Sequence, residues 1–574
     1  MYHHLTHHLR PVAARLLGGV AVCGGGVALA KAQREDECDA TVDYIVVGAG
    51  SSGCAVAARL AQGAPNCSTL LLEAGQDDDV AQIQTAVDYF GKVEHVFGSD
   101  RDWIYGSEPQ PEIGGRGLYW PRGKVVGGCS SFNTMVFLRG DPRDFDHWAR
   151  LLGDASWAYD AVLPYFRRAE THPAGPSELH GAAGPITVAP LDHPWHHPDD
   201  ASSFATKAFV RAAVAMGVPA NRDFAETTSG VGCNDVNARG GRRCSTSAYL
   251  KMVGAYPRAG QTEAASPSGA LRVELERETR KILWDRGGAV PRAVGVEVAR
   301  RGGAVRRYRA RREVVVCCGA VNSPLLLLRS GVGPKKDLER RGIPVVRDAP
   351  GVGQHLIDHL HVPLSYRVAG GVKPHSHSNI CEGSLFTRLR PAAGDARGDA
   401  PDLQVHLGTV FFHPDGFNPI GEGFTLTPSL IHPRSRGSVC LRDDSDHPLI
   451  RPNYLTDPEG YDLKLLVDGV KLCRDLGRRI CADVGATEVH PGPAVETDAD
   501  VEDYVRKYVS TMYHPVGTCR MGDVVDAALR VRGVAGLRVA DASVMPDIVG
   551  CNTNATCVMI GERCADLVLT AEPP

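Results

Sequence analysis

The stretch from Asp43 to Gly75 constrains this chain more than any other. It opens on a short apolar run, Tyr44-Ile45-Val46-Val47, which reads as a buried parallel strand. Gly48-Ala49-Gly50-Ser51-Ser52-Gly53 follows as G-x-G-x-x-G, then the Ala-rich run Ala55–Ala61 reads as helix. A second apolar strand, Thr69–Leu72, ends on Glu73, 25 residues after Gly48. Glycines at this spacing let the backbone turn tightly and approach a pyrophosphate, whose charge sits on the helix N-terminus. Glu73 stands where an acid accepts hydrogen bonds from an adenosine ribose. Strand, glycines, helix, strand and acid in register predict a dinucleotide site in an α/β domain.

The chain has 574 residues, beyond what one core supports, so two domains are expected. Hydrophobic residues at 43% exclude global disorder, and a net charge of −4 without a dense basic cluster excludes a nucleic-acid partner. Seventeen cysteines are scattered through apolar runs such as Val316-Cys317-Cys318 with no C-x-x-C pair, which reads as buried thiols rather than a disulfide framework or metal site. No acid precedes Glu35, and Arg10, Arg15 and Lys31 flank the apolar run Leu16–Ala30. That run is short for a membrane span, which needs about 20 residues. A leader over 1–39 with an organellar address, mitochondrial in the first place with plastid as the alternative, is expected, and His3, His4, His7 and His8 belong to it.

Further along, Gln76–Gly106 reads as a surface excursion and Trp120–Asn133 as a breaker-rich loop pressed on something flat. Helices are expected within Asp141–Glu170 and over Ser203–Met216, Asp457–Arg478, Thr497–Met512 and from about Asn554. Val294–Val298 and Val305–Ala310 read as antiparallel strands, Glu313–Cys318 as a separate buried strand, and Ser323-Pro324 as a helix start. Val362–Cys440 is strand-like, and His406 and His413 within it read as packing or surface histidines.

Four separated motifs carry a resemblance over residues 42 to 570. They are the opening G-A-G-S-S-G with Glu73, then Gly123–Asn133, then Gly319–Gly333 followed by Gly351–His359, and finally His514-Pro515 with Asn552-Thr553-Asn554-Ala555. In this order they resemble the glucose-methanol-choline (GMC) oxidoreductases, with the nearest likeness to choline dehydrogenases and related alcohol dehydrogenases. Departures are Cys129 and Phe132 in the second motif, and Cys551 and Thr556 around Asn552. The resemblance implies an FAD-binding Rossmann-like domain (40–190, 267–361 and 510–574) and a discontinuous α+β substrate-binding domain on a mostly antiparallel sheet (191–266 and 362–509).

It further implies that Gly48, Gly50, Gly53 and Glu73, with Ala49, Ser51 and Ser52 between them, hold the adenosine diphosphate of FAD. Gly127, Gly128, Asn133 and Val136 would lie along the flavin, and Asp541 and Ala542 near the ribityl and pyrophosphate. Some members attach FAD through a histidine at the position of Phe132, which has no nucleophile, so dissociable FAD is expected. Hydride transfer from an alcohol requires a base for the hydroxyl proton, the role of His514, and a donor to the developing alkoxide, the role of Asn552. The implied reaction is oxidation of a choline-like or other primary alcohol to the aldehyde, with electrons passed to a quinone or other non-NAD acceptor and no metal. The alternatives are an O₂-using oxidase and a fatty acid photodecarboxylase of the same fold. A β-carbon at Cys551 threatens the aim of Asn552 if that position needs positive φ.

Overall fold

The computed structural model describes residues 38–86, 95–191, 204–300, 303–368, 380–391, 396–412 and 423–571. All but the last two residues of the expected leader, along with His413, lie outside them.

The opening unit forms as read: β1 (Ala40–Val47), α1 (Ser51–Gly63) and β2 (Thr69–Leu72). Ile45, Val46 and Leu70–Leu72 are fully buried, each burial contributing about 1.5–3 kcal/mol. β1 is the centre of an eight-stranded sheet with a parallel core. Val47 pairs with Leu72 and Val316, and Val316 with Val539, so these strands end in one row. In such sheets the crevice beyond the carboxyl ends takes the ligand.

The two strands expected at 305–310 and 313–318 are one strand, Val305–Val316. Its first half pairs antiparallel with Arg292–Ala299 and alternates because one face meets solvent. Its second half pairs parallel with β1 and is apolar because both faces are covered. The helix expected at Ser323 begins earlier, at Gly319, and places Pro324 inside it. Proline cannot donate to the carbonyl of Ala320. The Thr518 hydroxyl donates to that carbonyl instead, at 2.6 Å.

The described part of the segment after Gly75 is only partly on the surface: Asp78 is buried and accepts from Tyr256 Oη at 2.6 Å and Ser245 Oγ at 2.8 Å, and Ile83 is fully buried, whereas Asp79, Ala81, Gln82 and Ile104 are exposed. Asp78 serves there as an acceptor for two hydroxyls of the 245–256 stretch.

The second eight-stranded sheet is antiparallel throughout, built mainly from Gly230–Cys233, Leu364–Val368, Cys381–Thr387, Leu403–Gly408, Gly423–Leu430 and Ala486–His490. The helix Tyr461–Val484 packs across it, with Gly469 close against Leu403 and Pro428 and the Tyr366 hydroxyl donating to the Cys473 carbonyl at 3.1 Å, and runs beyond the expected Arg478 to an αL cap at Gly485. Asp498–Tyr508 is shorter than expected, beginning at a Thr497–Asp500 capping box. No disulfide joins the described cysteines.

Candidate active site

One cavity of about 660 Å³ runs from the carboxyl edge of the parallel sheet to the antiparallel sheet. Gly48, Gly50, Ser51, Ser52 and Glu73 line one end, His514 and Asn552 the other, and Gly128, Asn133, Val136, Asp541 and Ala542 line it between them. Ala49, Gly53 and Gly127 stand behind the wall and act through shape and backbone.

At the first end, Gly48 has φ +99°, and a Cβ on Gly53 would sit 1.8 Å from the Gly48 carbonyl oxygen. A Cβ on Gly128 would lie 2.8 Å from the Gly50 Cα. These contacts leave space only for glycine and draw three backbone segments together. α1 starts at Gly50 without a side-chain cap, as does the helix Asn554–Leu569 at Thr553. Ser51 Oγ donates to Asn554 Oδ1 at 2.7 Å and joins the two helix starts. Two uncapped N-termini side by side form a seat for a pyrophosphate. Glu73 accepts from the Ala49 amide at 2.8 Å and the Gly75 amide at 2.9 Å, one on each oxygen, leaving lone pairs for a ribose. Burial pushes its carboxyl up to about 7, against the pull of those amides.

In the middle, Gly127 (φ +84°) donates from its amide to the Ala49 carbonyl at 2.7 Å, fixing the Gly123–Asn133 loop to the first motif. Asn133 is held through Oδ1 by the Met135 amide and Arg243 Nη1. Phe132 is buried, meeting Phe97 edge-to-face at 5.6 Å between centroids. Asp541 spans the strand end and the next helix: Oδ2 accepts from the Gly319 amide and Ser323 Oγ, and Oδ1 from the Ser543 amide.

At the far end, Tyr513 adopts φ +63°, unusual for a bulky residue, and turns the chain so that His514 lines the cavity. Its carbonyl accepts from Arg122 Nη2 at 2.7 Å, and Pro515 restricts the His514 backbone. Buried Asp358 takes the His514 amide at 2.8 Å and the hydroxyls of Thr511 and Tyr454 at 2.6 Å each.

His514 Nδ1 lies 3.0 Å from His359 Nδ1, His359 Nε2 lies 2.9 Å from the Ile431 carbonyl oxygen, and Asn552 Nδ2 lies 3.5 Å from His514 Nε2. Burial holds His514 well below the usual histidine range, helped by neighbouring His359, and pushes His359 down to about 4. His361 and His406, at about 4 and about 3 from burial, also line the cavity here.

His406, read from sequence as a packing histidine, therefore also borders the site. His359 and His361 had no role in that reading either. The motif Gly351–His359 was the available signal, but nothing in the sequence says that residue 359 meets residue 514. Cys551 does not take positive φ. Its thiol reaches the Leu138 carbonyl at 3.4 Å, and the Thr556 hydroxyl donates to the Arg139 carbonyl at 3.2 Å. Both departures from the family pattern are therefore used to tie the Asn552 loop to one neighbouring segment.

The glycine cradle, paired helix starts and ribose acid fit the adenosine half of a dinucleotide, and the same cavity continues to a neutral histidine pair. That combination defines a dinucleotide-dependent oxidoreductase. A family model described as GMC oxidoreductase matches residues 42–361, and a second with the same description matches 433–561. Choline oxidase from Arthrobacter globiformis is 37% identical over 561 residues, covering 94% of this chain and 96% of its own. Oxygen-dependent choline dehydrogenase 1 from Chromohalobacter salexigens is 35% identical over 565 residues, 92% of this chain and 95% of the relative. The crystal structure of pyridoxine 4-oxidase from Mesorbium loti superposes with a TM-score of 0.80 at 30% identity, covering 92% of this chain and 99% of that one.

The chain belongs to the GMC oxidoreductase family and is an FAD-dependent enzyme that oxidises alcohols. These relatives are bacterial and lend no support to an organellar address. Among the described residues no helix is long and apolar enough to cross a membrane.

Proposed function

We propose that His514 is the base and Asn552 the alkoxide donor in oxidation of a choline-like or other primary alcohol to its aldehyde. One geometric chain carries this reading. The Ile431 carbonyl can only accept, so His359 carries its proton on Nε2. Neutral His359 then presents a lone pair at Nδ1, and His514 must donate from its own Nδ1 across 3.0 Å. The remaining nitrogen of His514, Nε2, is left with a lone pair that faces the Asn552 amide N–H at 3.5 Å, a weak contact that a substrate hydroxyl can replace. A backbone carbonyl thus fixes the tautomer of the base through one intervening ring.

Bound FAD supplies the acceptor for the hydride leaving the alcohol carbon. His514 Nε2 takes the hydroxyl proton, and the Asn552 amide N–H steadies the oxygen as charge develops. The unpartnered Asn552 Oδ1 fixes nothing in the protein, so this amide can turn to its ligand. Glu73 and the two helix starts hold the adenosine diphosphate. Phe132 offers no nucleophile, which supports dissociable FAD.

The names of the relatives support a choline-like substrate, and Phe97, Phe132 and Phe412 supply aromatic faces for a cationic group within the cavity. The acceptor is a quinone or molecular oxygen, and the relatives named for oxidase or oxygen-dependent activity favour oxygen. The proposed division into an FAD domain (40–190, 267–361, 510–574) and a substrate domain (191–266, 362–509) follows the two sheets closely. Glu263–Ala265 joins the first sheet, and Leu360–His361 and Ser510–Thr511 the second, a few residues across those bounds.

His514→Ala tests the reading. It should retain FAD yet lose about 10²–10⁴ in anaerobic flavin reduction by choline and other primary alcohols. Near-normal reduction would remove His514 from the base role.

A further inference from the structure

We infer that Asp144, a buried carboxylate outside the cavity, is a positioning residue that sets both members of the catalytic pair at once. It sits in the first turn of the helix Pro142–Leu152, with its side chain fully buried. A carboxylate has about four lone-pair sites. Here four donors occupy them: the Asp141 amide (3.2 Å) and Gly550 amide (2.8 Å) at Oδ2, and His432 Nε2 (2.8 Å) and Arg397 Nε (3.1 Å) at Oδ1.

Two of those donors lead to the reaction centre by different routes. Gly550 is two residues before Asn552, so the Asp144–Gly550 bond aims the loop that carries the alkoxide donor. His432 directly follows Ile431, whose carbonyl fixes the His359 tautomer and through it the lone pair on His514 Nε2. The two arms also touch: a Cβ on Gly550 would lie 2.8 Å from His432 Cε1. One oxygen of Asp144 therefore serves each arm, and their relative placement is set at a point that touches no ligand.

An amide at this position cannot do the same. Asparagine has a single acceptor oxygen, and its NH₂ would face either the Gly550 and Asp141 amides or the His432 and Arg397 donors. Asp144→Asn should keep FAD bound and the chain folded but lose about 10–10²-fold in the anaerobic rate of flavin reduction, the scale of a misplaced reacting group.

The inference rests on the His514 and Asn552 roles proposed above, so the decisive measurement is a cycle with His514→Ala. If Asp144 acts through the pair, Asp144→Asn should cost the His514→Ala enzyme clearly less than it costs the wild type, because only the Gly550–Asn552 arm is left to displace. An equal loss in both backgrounds, or a wild-type rate in Asp144→Asn alone, overturns the inference. An unimpaired His514→Ala enzyme overturns instead the base assignment beneath it.

Should Asp144→Asn not fold, His432 gives the same test. His432→Gln keeps a donor toward Oδ1 and should retain most of the rate, whereas His432→Leu should lose it. Equal rates in those two variants would refute the His432 arm.

Discussion

Replacing His359 by phenylalanine isolates the step that gives His514 its chemistry. The substitution leaves a ring in the buried space but removes the acceptor 3.0 Å from His514 Nδ1 and the donor to the Ile431 carbonyl. A buried donor left without its partner costs about 1–3 kcal/mol. His514 can avoid that cost by moving its proton to Nε2, which abolishes the lone pair facing Asn552. A bias of that size corresponds to about 5- to 150-fold in the population of the competent tautomer. The rate of flavin reduction at saturating alcohol, measured anaerobically by stopped flow, should fall by that factor while the absorbance spectrum shows FAD still bound. His359→Asn, whose Oδ1 can accept from His514, should recover part of the loss. A His359→Phe enzyme that binds FAD and reduces it at close to the wild-type rate would refute the tautomer argument.

Gly53→Ala should abolish stable FAD binding, because the new Cβ would lie 1.8 Å from the Gly48 carbonyl oxygen; a full complement of flavin in the purified variant would count against the cradle. Acid precipitation should release intact FAD to the supernatant, since Phe132 cannot form a covalent bond; flavin remaining on the chain would show another point of attachment. Folded His359 and His406 are held down to about 4 and about 3 by burial, so above pH 6.5 they add no pH dependence. As pH falls below about 6.5 the unfolded chain takes up protons that the folded one refuses, and stability drops by on the order of 2 kcal/mol for each at about pH 5. Thermal melts should show this decline, and a His406→Gln variant with an undiminished slope would contradict it.

Local segments were the most readable. β1, α1 and β2 formed as the residues suggested because apolar run length, glycine spacing and helix composition act within a few residues. The long strand Val305–Val316 was divided in the sequence reading because its patterning changes halfway, and only its partners explain the change. Pro324 pointed to a helix start for the same reason: the Thr518 hydroxyl that allows it inside the helix lies 198 positions from the Ala320 carbonyl it bonds.

The sequence by itself determined the dinucleotide-binding unit, the presence of a second, largely antiparallel part, and the two residues, His514 and Asn552, proposed to act on the alcohol. It did so through short-range patterns and motif order. Tertiary structure alone decided how those residues are prepared. The proton position on His514 depends on a ring 155 residues earlier, and that ring depends on a carbonyl 72 residues further on. The aim of Asn552 depends on a carboxylate 406 residues before Gly550. Hydrogen-bond direction and burial are properties of atoms brought together in space, and no local pattern of side chains encodes which distant pair will meet.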